Sequence, residues 1–129
     1  MSGILANPRT APQVLSVQQD AGRPSEVQLT LHVQPDLQWF EGHFPDVGLL
    51  PGVIQTTWVV EFARKYFRLP GNFRTMSNMK FMRFIMPGTT VSLWLRYMAD
   101  KGELSFEYRE RDKVCASGRI GFDAGSNHE

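Results

Sequence analysis

The sequence predicts an α+β domain in which an antiparallel β-sheet wraps around one long central helix. Three observations lead there: a single apolar helical run between Pro51 and Phe67, several short segments of alternating apolar residues, and turn signals between them. With 129 residues, 42% hydrophobic and 12% aromatic, the chain suffices for one core and falls short of two ordinary domains. Residues 1–129 are therefore read as one domain.

Met1 to Pro12 carries Asn7-Pro8 and Ala11-Pro12, and residues 124–129 read Ala-Gly-Ser-Asn-His-Glu, so 1–12 and 124–129 are expected to be flexible tails. Val14 to Val17 and Glu26 to Gln34 suit strands joined by a turn at Gly22 and Pro24. In the second of these, Val27, Leu29, Leu31 and Val33 share one face and Gln28, Thr30 and His32 the other.

Pro51 suits a first helical turn and Pro70-Gly71 a stop, which bounds the helix. Val53, Ile54, Trp58, Val59, Val60, Phe62, Ala63, Tyr66 and Phe67 cover more than one stripe of it, the pattern of a helix enclosed on most sides. Met79 to Met86, Thr90 to Met98, Leu104 to Arg109 and Val114 to Phe122 then read as successive antiparallel strands. They are separated by Pro87-Gly88, Asp100-Lys101-Gly102 and Arg111-Asp112.

Fourteen basic and 13 acidic side chains are mixed along the chain, a net charge of +1, so no charge argument points to nucleic acid or to an anionic membrane. A lone Cys115 excludes an internal disulfide and a Cys-rich zinc site, and fits a reducing, cytoplasmic setting. No stretch approaches the roughly 18 apolar residues of a membrane span. His32 falls on a polar strand face, His128 lies in the tail, and no His-Glu-x-x-His spacing occurs, so no metal is expected. A phosphate-binding Gly-rich loop and a Gly-x-Ser-x-Gly elbow are also missing.

The stretch from Trp39 to Val53 contains Gly42-His43-Phe44-Pro45 and Leu50-Pro51-Gly52. It resembles the active-site segment of the hotdog-fold 3-hydroxyacyl-[acyl-carrier-protein] dehydratases, especially the aryl-polyene-type, ApeI-like thioester dehydratases. A second run, Met79 to Val91, is similar to that family's strand after the helix, and the resemblance covers roughly residues 25 to 122. It implies a hotdog fold, dehydration of a 3-hydroxyacyl thioester on acyl carrier protein, and no cofactor besides the substrate's own phosphopantetheine. A homodimer or higher oligomer is also implied, with the histidine of one subunit facing a helix carboxylate of the other and the two sheets joined edge to edge.

Such a dehydration needs a base for the proton beside the carbonyl, donors for the enolate oxygen, and an acid for the departing hydroxyl. His43 is the natural base, since imidazole titrates near neutral pH. Outside the motif it would read as an ordinary turn residue. Gly52 opens the helix, where unpaired N–H groups and the positive dipole end could polarise a thioester carbonyl.

The resemblance places an Asp or Glu fourteen residues after the histidine, and here that position is Thr57. A hydroxyl can hold water or the substrate hydroxyl but is a poor proton donor. One turn on, Glu61 shares a helix face with Thr57 and is the replacement acid, its pKa expected to rise if it is buried. The plainer reading pairs Glu61 with Arg64 or Lys65 in solvent and gives Thr57 a packing role.

Phe44, Leu50, Val53 and the inward members of Met79 to Met86 could line an acyl channel, or simply fill the core. Lys80 and Arg83 are candidate docking charges for an acidic acyl carrier protein, or merely solvated. Two other readings stay open: a non-catalytic subunit that binds acyl carrier protein or pairs as a heterodimer with an active homologue, and a thioesterase acting on acyl-CoA.

Overall fold

A computed structural model describes residues 4–40, 50–69 and 71–123. In order, the chain forms a short 3-10 helix (Ile4–Ala6), strands β1 (Gln13–Gln18) and β2 (Glu26–His32), and a second 3-10 turn (Gln38–Phe40). The helix α1 (Gly52–Tyr66) follows, and then strands β3 (Phe73–Phe81), β4 (Thr90–Met98), β5 (Glu103–Glu110) and β6 (Lys113–Phe122). All six strands form one antiparallel sheet of order β1-β2-β4-β5-β6-β3.

Period-two patterning places one sheet face against the helix. Val27, Leu29, Leu31, Leu93, Leu95, Leu104, Phe106, Tyr108 and Ile120 are all buried. The register sets Leu29 opposite Leu93, Leu95 opposite Phe106 and Leu104 opposite Ile120, so apolar side chains meet across every central strand pair. Trp58, Val59, Phe62 and Ala63 of α1 complete this core. Full burial of a side chain such as Phe62 is worth about 1.5–3 kcal/mol.

Most apolar positions of the helix are enclosed, wholly or in part, among the described residues. Gln55, Thr56, Trp58, Val59, Phe62 and Ala63 are buried, whereas Val53 at the first turn is 70% exposed. The sheet covers one face of α1; among the described residues Ile54, Val60 and Tyr66 are partly buried against the same core, and Val53 stands exposed.

The third strand differs from its expected place in both span and partner. It runs over Phe73–Phe81 rather than from Met79 to Met86, and it pairs with β6, not β4. Its first half is Phe-Arg-Thr-Met-Ser, exposed throughout on a sheet edge, so no burial alternation advertises it. A register shift between Ser77 and Lys80, with Asn78 at φ 53°, breaks the pattern again.

Residues 82–89 instead form a crossing segment fixed by backbone hydrogen bonds. The Met82 and Arg83 N–H groups donate to the Cys115 carbonyl, and the Leu50 N–H donates to the Ile85 carbonyl at 2.8 Å. Ile85 is buried at the centre of this segment.

The amino-terminal stretch is also more ordered than its turn-rich composition suggests. Asn7 closes a turn through Thr10 and Ala11, and the Thr10 carbonyl accepts the indole N–H groups of both Trp39 (3.0 Å) and Trp58 (2.9 Å). Thr10 and Ala11 are buried. The buried Trp58 and the half-buried Trp39 need a partner for their N–H groups, and a backbone carbonyl supplies it. Residues 4–11 therefore pack onto α1 instead of fraying. No helix among the described residues is long and apolar enough to cross a membrane.

Candidate active site at the start of the helix

Helix α1 begins directly after Pro51, which stands at the N-cap with φ −61° and ψ 145° and offers no side-chain cap. The Ile54 and Gln55 N–H groups donate to the Pro51 carbonyl, leaving those of Gly52 and Val53 with no acceptor among the described residues. Uncapped amides at the positive end of a helix attract an oxygen that carries negative charge.

Gly52 opens onto a cavity of about 630 Å³ lined by Leu50, Gly52, Gln55, Phe81, Met82, Arg83, Phe84 and Met86. The walls are mainly apolar, supplied by the end of β3 and the crossing segment. A Cβ at Gly52 would lie 3.1 Å from Cε1 of Phe81, so glycine lets that ring close against the helix start.

Gln55 is the residue here that the sequence did not single out. It is 4% exposed, its Nε2 donates to the Leu50 carbonyl at 3.1 Å, and its backbone carbonyl accepts the Tyr108 hydroxyl at 2.7 Å. The signal was a lone amide on the helix face otherwise occupied by Trp58, Val59 and Phe62.

Burial holds the Tyr108 phenol well above its ordinary pKa, so it remains a donor. Removing that hydroxyl in Tyr108→Phe is expected to cost about 1 kcal/mol. Thermal melts should register this as a fall of about 3–5 °C with the fold retained.

Thr57 and Glu61 share a helix face, as their spacing requires, but that face also carries Val53 and points away from the buried core. None of the three lines the cavity. Thr57 Oγ1 donates to the Val53 carbonyl at 2.7 Å, which commits its proton inside the helix. Glu61 is half-buried rather than enclosed. The expected pairing with Arg64 is absent among the described residues, because Arg64 donates to the Gly71 carbonyl instead. Leu50 is buried and lines the cavity, whereas Val53 is exposed and does not line it.

The two candidate docking charges separate. Arg83 lies at the cavity, while Lys80 joins Arg96 and Arg119 in a polar depression elsewhere on the sheet. The strand shift explains this, since Lys80 belongs to β3 and Arg83 to the crossing segment. His43 and Phe44 lie outside the described residues. Cys115 is buried and takes no part, its thiol pushed up in pKa by burial and then by the Glu110 carboxylate.

The family model described as ApeI-like, the ApeI dehydratase, matches residues 17–119. A 3-hydroxyacyl-[acyl-carrier-protein] dehydratase FabZ from Streptococcus suis is 26% identical over 123 residues, covering 88% of this chain and 84% of the relative. Among solved structures, the dehydratase heterocomplex ApeI:P from Xenorhabdus doucetiae superposes with a TM-score of 0.79 at 33% identity, covering 85% of this chain and 96% of that one. An uncharacterized protein from Erwinia carotovora subsp. atroseptica gives a TM-score of 0.76 at 37% identity, covering 85% and 94%. Mouse thioesterase superfamily member 2, at 18% identity and a TM-score of 0.61 over 82% of this chain and 85% of that one, shares the fold.

Proposed function

Because the chain belongs to the ApeI-like dehydratase family, a hotdog-fold family, we propose that it removes water from a 3-hydroxyacyl chain held as a thioester on acyl carrier protein, releasing the trans-2-enoyl thioester. The observation that carries this reading is the uncapped helix start at Gly52, opening on an apolar cavity. An acyl chain fits the walls, and the thioester oxygen meets backbone N–H groups whose dipole favours the charge it gains.

In this reading His43 takes the C2 proton. The electron pair left on C2 forms the C2–C3 double bond, and the C3 hydroxyl leaves with a proton as water. Thr57 contributes an acceptor lone pair at most, because its proton is held by Val53. Glu61 carries the carboxyl available to protonate the departing hydroxyl, and it reaches a reacting centre through a neighbouring subunit. The exposed Val53 on α1 and the apolar edge strand β3, where Phe73, Met76 and Phe81 are each about half exposed, support such an oligomer. Arg83 at the cavity suits the acidic surface of a carrier protein.

A second reading is favoured by the engaged Thr57 hydroxyl and by the similarity to a subunit of a heterocomplex: a partner that binds carrier protein or an active homologue without turning over itself. Thr57→Asp separates the two. A large gain in activity favours a degenerate site, and a loss favours a site built around Thr57.

The reaction is tested in the hydration direction with an enoyl-pantetheine thioester. Loss of the conjugated enoyl absorbance without release of free thiol is the expected result. Thiol release from the thioester without hydration would mark a thioesterase and contradict the proposal.

A further inference from the structure

Gln55 holds a polar atom that the described residues leave unused. Its Oε1 is buried and has no hydrogen-bond partner among the described residues, although the same amide's Nε2 is bound to the Leu50 carbonyl. That bond fixes the amide's orientation, since the flipped group would set two carbonyl oxygens against each other. A buried acceptor without a partner is costly, and native folds rarely keep one without a use. The Tyr108 hydroxyl on the Gln55 backbone holds the residue in place.

Gln55 lines the same cavity as Gly52, one helical turn further in, and among the described residues Arg83 is the only other one of that lining with a polar side chain. Whatever completes Oε1 must carry an O–H or N–H. With the thioester oxygen at the Gly52 amide, the acyl chain continues inward, and its one hydrogen-bond donor beyond the thioester is the C3 hydroxyl. The amides of a pantetheine arm follow the thioester sulfur, on the other side of the carbonyl from C3.

We infer that Gln55 Oε1 accepts the hydrogen bond of the substrate's C3 hydroxyl, making Gln55 the residue by which the pocket separates 3-hydroxyacyl from saturated acyl chains. This rests on the dehydratase reading given above. Gln55 positions the hydroxyl and does not protonate it, because a neutral amide oxygen has no proton to give. The placement also orients the leaving group in a chain whose Thr57 hydroxyl is already committed.

The test uses the full chain and two non-hydrolysable probes, the 3-hydroxyoctanoyl and octanoyl amides of pantetheine, with binding measured by calorimetry. Wild type should prefer the hydroxylated probe. Gln55→Leu should weaken that probe by about ten- to a hundredfold and leave the octanoyl probe equal or tighter. Should Gln55→Leu fail to fold, Gln55→Met keeps the side chain's length and carries the same comparison.

Equal weakening of both probes would assign Gln55 a purely structural role and overturn the inference alone, as would an effect reproduced with unacylated pantetheine. Wild type that binds neither probe would overturn the dehydratase reading and the inference with it.

Discussion

Replacing His43 with Ala is expected to lower kcat/KM for dehydration of a 3-hydroxyacyl thioester by about 10²- to 10⁴-fold, the contribution of a positioned general base. The chemistry demands a group that takes the C2 proton near neutral pH, and imidazole is the side chain whose ordinary pKa lies there. In the proposed mechanism the Gly52 amide stabilises the enolate oxygen, and a backbone amide cannot remove a proton. The loss should therefore fall on the chemical step and leave binding of a 3-hydroxyacyl-pantetheine amide nearly unchanged. Steady-state kinetics with a matched binding measurement makes the check, and a variant that keeps most of its turnover would remove His43 from the mechanism.

The largest effect on stability is expected at Gly102, in the turn between β4 and β5. Its φ of +60° belongs to the left-handed region, and a Cβ there would sit 2.7 Å from the Phe122 carbonyl oxygen. That carbonyl is backbone at the end of β6 and is held close, since the Phe122 N–H donates to the Gly102 carbonyl at 2.8 Å. Gly102→Ala thus incurs both a left-handed backbone penalty and a clash that only movement of the strand end relieves, together about 2–4 kcal/mol. A drop in Tm of about 10 °C is expected. Gly71, at φ +109° with nothing within 4 Å of a would-be Cβ, is the control. Gly71→Ala carries the backbone component alone and should shift Tm less.

Where side chains alternate against a buried face, the sequence was a faithful guide. Val27, Leu29 and Leu31 of β2, and Leu104, Phe106 and Tyr108 of β5, point inward as their spacing requires. Edges carry no such signal, and so β3 was misplaced: Phe73 to Ser77 lies open on one side, paired only through its backbone to β6. Order in residues 4–11 depends on the Thr10 carbonyl, a backbone group identical in every residue, so nothing in the composition reveals its two indole donors.

The site was half legible. Gly52 stands at the helix start and Leu50 in the cavity wall, where the motif put them. Thr57, Glu61 and Val53 share a face as spacing dictates, but spacing alone could not say that this face turns away from the subunit's own cavity. Gln55 escaped notice because its importance lies in a missing partner, which a one-dimensional pattern cannot display.

The central claim, that this chain is a dehydratase acting at the helix start, is met most directly by mass spectrometry of a 3-hydroxyacyl acyl carrier protein incubated with the purified protein. The account predicts that the carrier loses the mass of one water while keeping its acyl chain, and that His43→Ala suppresses the loss. A carrier that stays unchanged with wild type, or that loses its whole acyl chain to leave free phosphopantetheine thiol, would contradict it.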